Sequence, residues 1–296
     1  MASSALFTTN DDFFAPRHLL GWLGFSLTAG CVNAGAFLAC RNFVSHVTGM
    51  TTSVALDVGR PTLALEYALV LAAFILGAAV ATLVAETLKS RREASFALPV
   101  LLSFLALLGV AVAGRSGVFG AFGSTASETG GQANFAMLGA LAASMGLLNA
   151  SVALATSNAI RSTHLTGHAT DLAVNLVRAA LGSGEVAARE LRWALLRATK
   201  VVAFALGGVL AATCADRLQY DVFLVAAIVL VVALCLTITP GHALEVAPAS
   251  RGAHGDASPD ANALPRRRPP SADGARPPRS STHGQLSLTS RCPAGR

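Results

Sequence analysis

Ser45-His46-Val47-Thr48-Gly49 is answered 118 residues later by Thr163-His164-Leu165-Thr166-Gly167. The likeness extends on both sides. Thr52, Asp57 and Arg60 fall opposite Thr170, Asn175 and Arg178, while Gly30-Cys31-Val32-Asn33-Ala34 is echoed, two residues out of step, by Gly146-Leu147-Leu148-Asn149-Ala150. Two related halves follow, each built around a polar interruption in an apolar sequence.

The composition around the echo is that of a membrane protein. Of 296 residues, 53% are hydrophobic and 13% charged, against roughly 25% charged in soluble domains. The charge is also unevenly placed. From Gly241 onward there are eight Arg and four acidic residues, which leaves the rest of the chain nearly neutral. The basic balance therefore does not indicate nucleic-acid binding, since no basic face with interleaved aromatics exists.

Apolar runs expected to span lie at Leu19–Cys40, Leu63–Leu88, Phe96–Ala113, Phe135–Asn158, Val201–Cys214 with flanks, and Val222–Thr239. A run of about 20 residues crosses a core of about 30 Å. Residues 1–17 read as a polar leader with no signal-peptide cleavage pattern. The membrane domain covers residues 18–240, as repeat one (18–114) and repeat two (134–240). Residues 241–296 hold eight of the twelve prolines and read as a disordered basic tail. Its Arg266-Arg267-Arg268 run can meet anionic headgroups, or simply be solvated.

Lys and Arg orient the spans. With both termini cytoplasmic, Lys89, Arg91, Arg92, Arg161, Arg178, Arg189, Arg192, Arg197 and Lys200 lie inside, and Arg41, Arg60, Arg115 and Arg217 outside. Eight spans put the basic loops on opposite sides, so six are expected. Three spans per half is an odd number, which inverts the second half relative to the first, as in many secondary transporters. Each motif segment is then expected to fold back as a short helix, and the two to meet around a shared centre.

The residue types of the motif segments suggest a solute or ion pathway. Ser53, Asp57 and Arg60 fall on one helical stripe, as do Asp171, Asn175 and Arg178. Asp57 and Asp171 either line a pathway or pair with the neighbouring arginines at the headgroup level, since a charge against lipid is costly. Thr48-Gly49 and Thr166-Gly167 read as helix openings capped by the Thr hydroxyl, with N–H groups available to an anionic group or simply kept satisfied. His46 and His164 complete the candidate site. His164 and His168 have the i, i+4 spacing of paired metal ligands, but no Glu accompanies them as in a zinc protease and no Cys is near, so no metal or cofactor is expected. Asn33 and Asn149 are polar groups inside spans, suited to hydrogen bonds between segments. No nucleophile elbow appears, so no enzyme and no catalytic residue is expected. Five Cys supply neither a disulfide framework nor a metal spacing.

Ala29-Gly30-Cys31-Val32-Asn33-Ala34 followed by Phe43-Val44-Ser45-His46-Val47-Thr48-Gly49-Met50-Thr51 resembles the opening of the YoaK-like bacterial membrane proteins, catalogued as a domain of unknown function. The second half fits through Met145–Ala150 and Thr163–Leu172. The likeness covers about residues 18–240. The family often carries an acidic residue where Asn33 stands and Asn where Met50 stands. The resemblance implies a multi-span protein of the bacterial inner membrane and brings no settled activity. A secondary transporter or permease for a small solute is the first expectation. A non-transporting membrane scaffold or stress-related component is the second.

Overall fold

A computed structural model describes residues 6–7, 13–123 and 132–238. The expected tail at 241–296, with Arg266, Arg267 and Arg268, lies outside the described residues. Within them the chain is all helical: α1 Pro16–Cys40, α2 Val47–Leu56, α3 Pro61–Thr87, α4 Arg92–Arg115, α5 Gln132–Ala155, α6 Leu165–Leu181, α7 Gly184–Leu218 and α8 Val222–Ile238.

Local chemistry sets the ends. Pro16 and Pro61 open α1 and α3 at the first helical position, where a missing N–H costs nothing. Arg41, in left-handed conformation (φ 60°), closes α1. Gln219 (φ 51°) and the short 3-10 turn Gln219–Asp221 separate α7 from α8. The stretches long and apolar enough to cross a membrane are Pro16–Cys40, Pro61–Thr87, Arg92–Arg115, Phe135–Ala155 and Gly184–Ile238, the last divided by that turn. One expectation needs correction here. The span expected at Val201–Cys214 starts well before its apolar run: α7 is one helix of 35 residues whose first half carries Arg189, Glu190, Arg192, Arg197 and Lys200 and whose second half carries the apolar run.

Glycines decide how the helices pair. A Cβ on Gly30 of α1 would overlap the Phe204 carbonyl of α7, and one on Gly207 would overlap the Leu27 carbonyl. The same arrangement recurs between α5 and α3, where Gly146 meets the Phe74 carbonyl and Gly77 the Ala143 carbonyl. Small residues permit this backbone approach, which is a main source of helix association in lipid.

The order of contacts gives the sense of each helix. Phe13 lies on Trp193 and Gly30 on Phe204, so α1 and α7 run in the same direction. Gly21 meets Thr237 and Gly35 meets Val222, so α8 runs against α1. Arg115 at the end of α4 pairs with Asp221 at the start of α8. Ser103 of α4 and Ser144 of α5 share a hydrogen bond of 2.7 Å, and Phe96 shares a small cleft with Ser151 and Ala155. Hence α4 and α5 are antiparallel.

The centre, among α1, α4, α5 and α8, is filled by Trp22, Phe25, Leu107, Met137, Met145 and Leu230, each at most 0–1% exposed. Apart from the Ser103–Ser144 pair, hydroxyls such as Ser26, Ser151 and Thr237 are satisfied within their own turns, donating to the Trp22, Leu147 and Ala233 carbonyls, as an apolar environment requires. Leu69, Leu76 and Leu83 of α3, Leu105 of α4 and Leu206 of α7 face outward, each more than half exposed, a surface suited to lipid rather than water. The leader is not simply polar. Phe7 is buried against His18 and Trp22, and the Leu6 and Phe7 N–H groups donate to the Ala155 carbonyl.

Candidate functional site

Each motif begins with an asparagine in the preceding helix. Asn33 Oδ1 accepts from the Val44 and Ser45 N–H groups and from Ser45 Oγ, each at 3.1 Å. Asn149 Oδ1 accepts from the Thr163 N–H at 3.3 Å. One side-chain oxygen thus anchors the loop that returns to each motif helix.

The His-x-Thr-Gly pattern then has a direct physical account. His46 and His164 hold the N-cap positions of α2 and α6, with nearly the same backbone angles (φ −94°, ψ 73° and φ −87°, ψ 69°). Each ring folds over the first helical turn. A Cβ on Gly49 would come within 2.5 Å of His46 Nδ1, and one on Gly167 within 2.5 Å of His164 Cδ2. The glycine clears space for the capping histidine. This corrects the reading of Thr48 and Thr166 as caps. Both sit inside the helix and are exposed, and neither cap position is closed by a side-chain hydrogen bond.

The motif helices do not meet. α2 packs against α3, and α6 against α7; the centre between the halves is the packed core described above. The shared polar centre expected from the sequence is therefore replaced by two separate sites.

At the first, Asp57 ends α2, is buried, and forms an ion pair with Arg60. A cavity of about 110 Å³ opens between α2 and α3, lined by Asn42, His46, Met50, Ser53, Tyr67 and Val70. Tyr67 donates to Asn42 Oδ1 at 3.3 Å. Phe43, Met50, Val70 and Leu138 give it apolar walls, Asn42, His46, Ser53 and Tyr67 supply polar groups, and it adjoins Gly49.

At the second, Asp171 is exposed and pairs at 3.3 Å with Arg197 of α7, not with Arg178. Asn175, opposite Asp57, is buried; it donates to Glu190 and accepts from Arg197. Arg197 also lies over the Trp193 ring, 5.6 Å from its centroid. His168 is buried, with Nε2 2.8 Å from the Arg161 carbonyl and 2.9 Å from Lys200 Nζ. Burial, then the charge of Lys200 beside it, pull this imidazole down to about 4, so the ring is neutral at ordinary pH.

The two sites occupy matched places. Met50 follows Gly49 as His168 follows Gly167. Val70 and Lys200 each stand one helical turn before Phe74 and Phe204, the phenylalanines that meet Gly146 and Gly30. Where the first half has Met50, Val70 and a cavity, the second has His168 and Lys200 in contact. Sequence reading missed Lys200, Arg197 and Glu190, because it assigned their segment to a loop. The one available signal was that Lys200 directly abuts the apolar run beginning at Val201.

The family described as "Protein of unknown function (DUF1275)" matches residues 22–236. The chain belongs to that family. The match begins at Trp22 in α1 and ends within α8, so the DUF1275 region contains both asparagine anchors, both histidine-capped helices and the Lys200 site. No curated protein and no solved structure matches the chain.

Proposed function

We propose that this DUF1275 protein crosses the bacterial inner membrane six times as two inverted halves, with both termini cytoplasmic, and acts as a secondary transporter or permease for a small solute. One observation carries the reading. The α1–α7 contact at Gly30 and Gly207 is repeated by the α5–α3 contact at Gly146 and Gly77, while the helix senses make α5 run opposite to its counterpart α1. Inverted halves that exchange packing are the usual basis of alternating access.

In this reading the cavity beside α2 receives the solute. Asn42, His46, Ser53 and Tyr67 suit a compact neutral molecule with hydrogen-bond donors and acceptors. Asp57, Asp171 and His164, with the turns at Thr48-Gly49 and Thr166-Gly167, flank the route, and Asn33 and Asn149 hold its hinges. The chemistry is binding and release, not catalysis. The lipid bilayer is the main partner, and the basic tail adds contact with anionic lipid.

A thermal-stability screen of purified protein against small polar solutes tests this. A ligand of the folded state at 100 times its dissociation constant adds about 2.7 kcal/mol. Val70→Phe should fill the cavity and abolish that gain. A broad panel with no stabilising solute would favour the second reading, a non-transporting scaffold. That alternative draws support from the closed, apolar centre around Trp22, Phe25 and Met145.

A further inference from the structure

Lys200 is 1% exposed, and its partners are unusual for a buried ammonium. Nζ is 2.5 Å from the Arg161 carbonyl and 2.9 Å from His168 Nε2. Among the described residues no ion pair includes it. Asp171 pairs with Arg197, and Glu190 with Arg189. The other charged or titratable groups that act on this place are Arg197 from α7 and His164 from α6, neither of them an anion. Removing a cation from water without a carboxylate beside it is expensive, so the proton on Lys200 is held by geometry alone.

That geometry allows two arrangements of hydrogen. His168 Nε2 lies within hydrogen-bond distance of both the Arg161 carbonyl, which only accepts, and Lys200 Nζ. Toward an ammonium, Nε2 must be an acceptor; toward the carbonyl, it must be a donor. One nitrogen cannot be both. We infer that Lys200 and His168 together form a single proton-binding site that links α6, α7 and the loop before α6.

With the proton bound, the Lys200 ammonium donates to the Arg161 carbonyl and to Nε2, and His168 carries its own hydrogen on Nδ1. When one proton leaves to water, Lys200 becomes a neutral amine. The imidazole hydrogen relocates to Nε2, which donates to the Arg161 carbonyl in place of Lys200. One proton is released, and α7 loses its charged tie to the loop. The matched residues in the first half, Met50 and Val70, bind no proton, so the pair has no counterpart there. It stands whether or not the chain transports a solute; if it does, this is where a driving proton would act on a motif helix.

The full chain has two lysines, Lys89 and Lys200, which makes the test direct. Protein labelled with nitrogen-15 in lysine and histidine is titrated in detergent from about pH 5 to about pH 9, the window for histidine and perturbed lysine. The spectrum of His168→Gln assigns the His168 signals. The expected result is one transition in which the Lys200 signal changes together with a switch of His168 from the Nδ1–H to the Nε2–H tautomer. Lys200→Arg, whose charge is permanent, should hold His168 as Nδ1–H throughout. Lys200→Met should remove the coupled transition; if that variant does not fold, the arginine variant decides. A His168 tautomer that never changes would overturn the inference, as would a switch that persists in Lys200→Arg. A transition that moves when chloride is exchanged for a bulky anion would also overturn it, and would mark an anion site instead.

Discussion

Gly30→Ala and Gly146→Ala should each lower the stability of the folded protein by about 3 kcal/mol, toward the upper end of the cost of overfilling a packed contact. The added methyl group on either residue overlaps a backbone carbonyl, that of Phe204 or Phe74. A carbonyl in a helix cannot rotate away as a side chain can, so the two helices must separate along several turns. Gly109 is the control. It lies in α4 with nothing within 4 Å of the Cβ position, so Gly109→Ala should be neutral or stabilise by up to about 1 kcal/mol through helix propensity. Denaturant unfolding in mixed micelles measures all three. Equal, small effects at the three sites would mean that α1–α7 and α3–α5 are not held by backbone contact.

Asn33→Leu should cost a similar amount, about 3 kcal/mol, because it leaves the N–H groups of Val44 and Ser45 without their acceptor, each worth about 1–3 kcal/mol when buried. Asn33→Asp should stay within about 1 kcal/mol of the parent, since a carboxylate accepts from the same three donors. The position needs an acceptor, not a charge. Asn149→Leu should cost less, about 1 kcal/mol, because Asn149 accepts a single longer bond from Thr163. The same unfolding measurement ranks the three variants. A costly Asn33→Asp, or Asn149→Leu as damaging as Asn33→Leu, would contradict the anchoring role.

Much of this protein could be read from residue types. The apolar runs located five of the six long helices to within a few residues, because a span must be continuous and largely uncharged; α7 begins at Gly184, well before its apolar run. The repeated motif located both asparagine anchors and both short helices. Two things were hidden, for different reasons. The His-x-Thr-Gly segment contains several residues that cap helices, and Thr is the better known; only the angles at His46 and His164 identify histidine as the cap and glycine as the space for its ring. The α6–α7 hairpin was misread because its charges suggest a loop. In the folded chain those residues find partners across the hairpin: Arg197 pairs with Asp171, Glu190 accepts from Asn175, and Lys200 lies within hydrogen-bond distance of His168. Pairing of this kind joins residues distant in sequence, and no local pattern reports it. The expected meeting of the two motifs failed for a related reason. Repetition fixes what each half looks like, whereas the packing of Trp22, Phe25, Met137 and Met145 decides what fills the space between them.

Inversion of the two halves is the claim on which the functional reading depends, and it makes the two capping histidines, both exposed, face opposite sides of the membrane. The direct measurement uses the full chain with its five cysteines replaced and a single new one, His46→Cys or His164→Cys. Each variant is treated with a membrane-impermeant maleimide in intact spheroplasts and in inverted vesicles. The account predicts that Cys at 46 is labelled in spheroplasts and Cys at 164 in inverted vesicles. Labelling of both positions from the same side would contradict it.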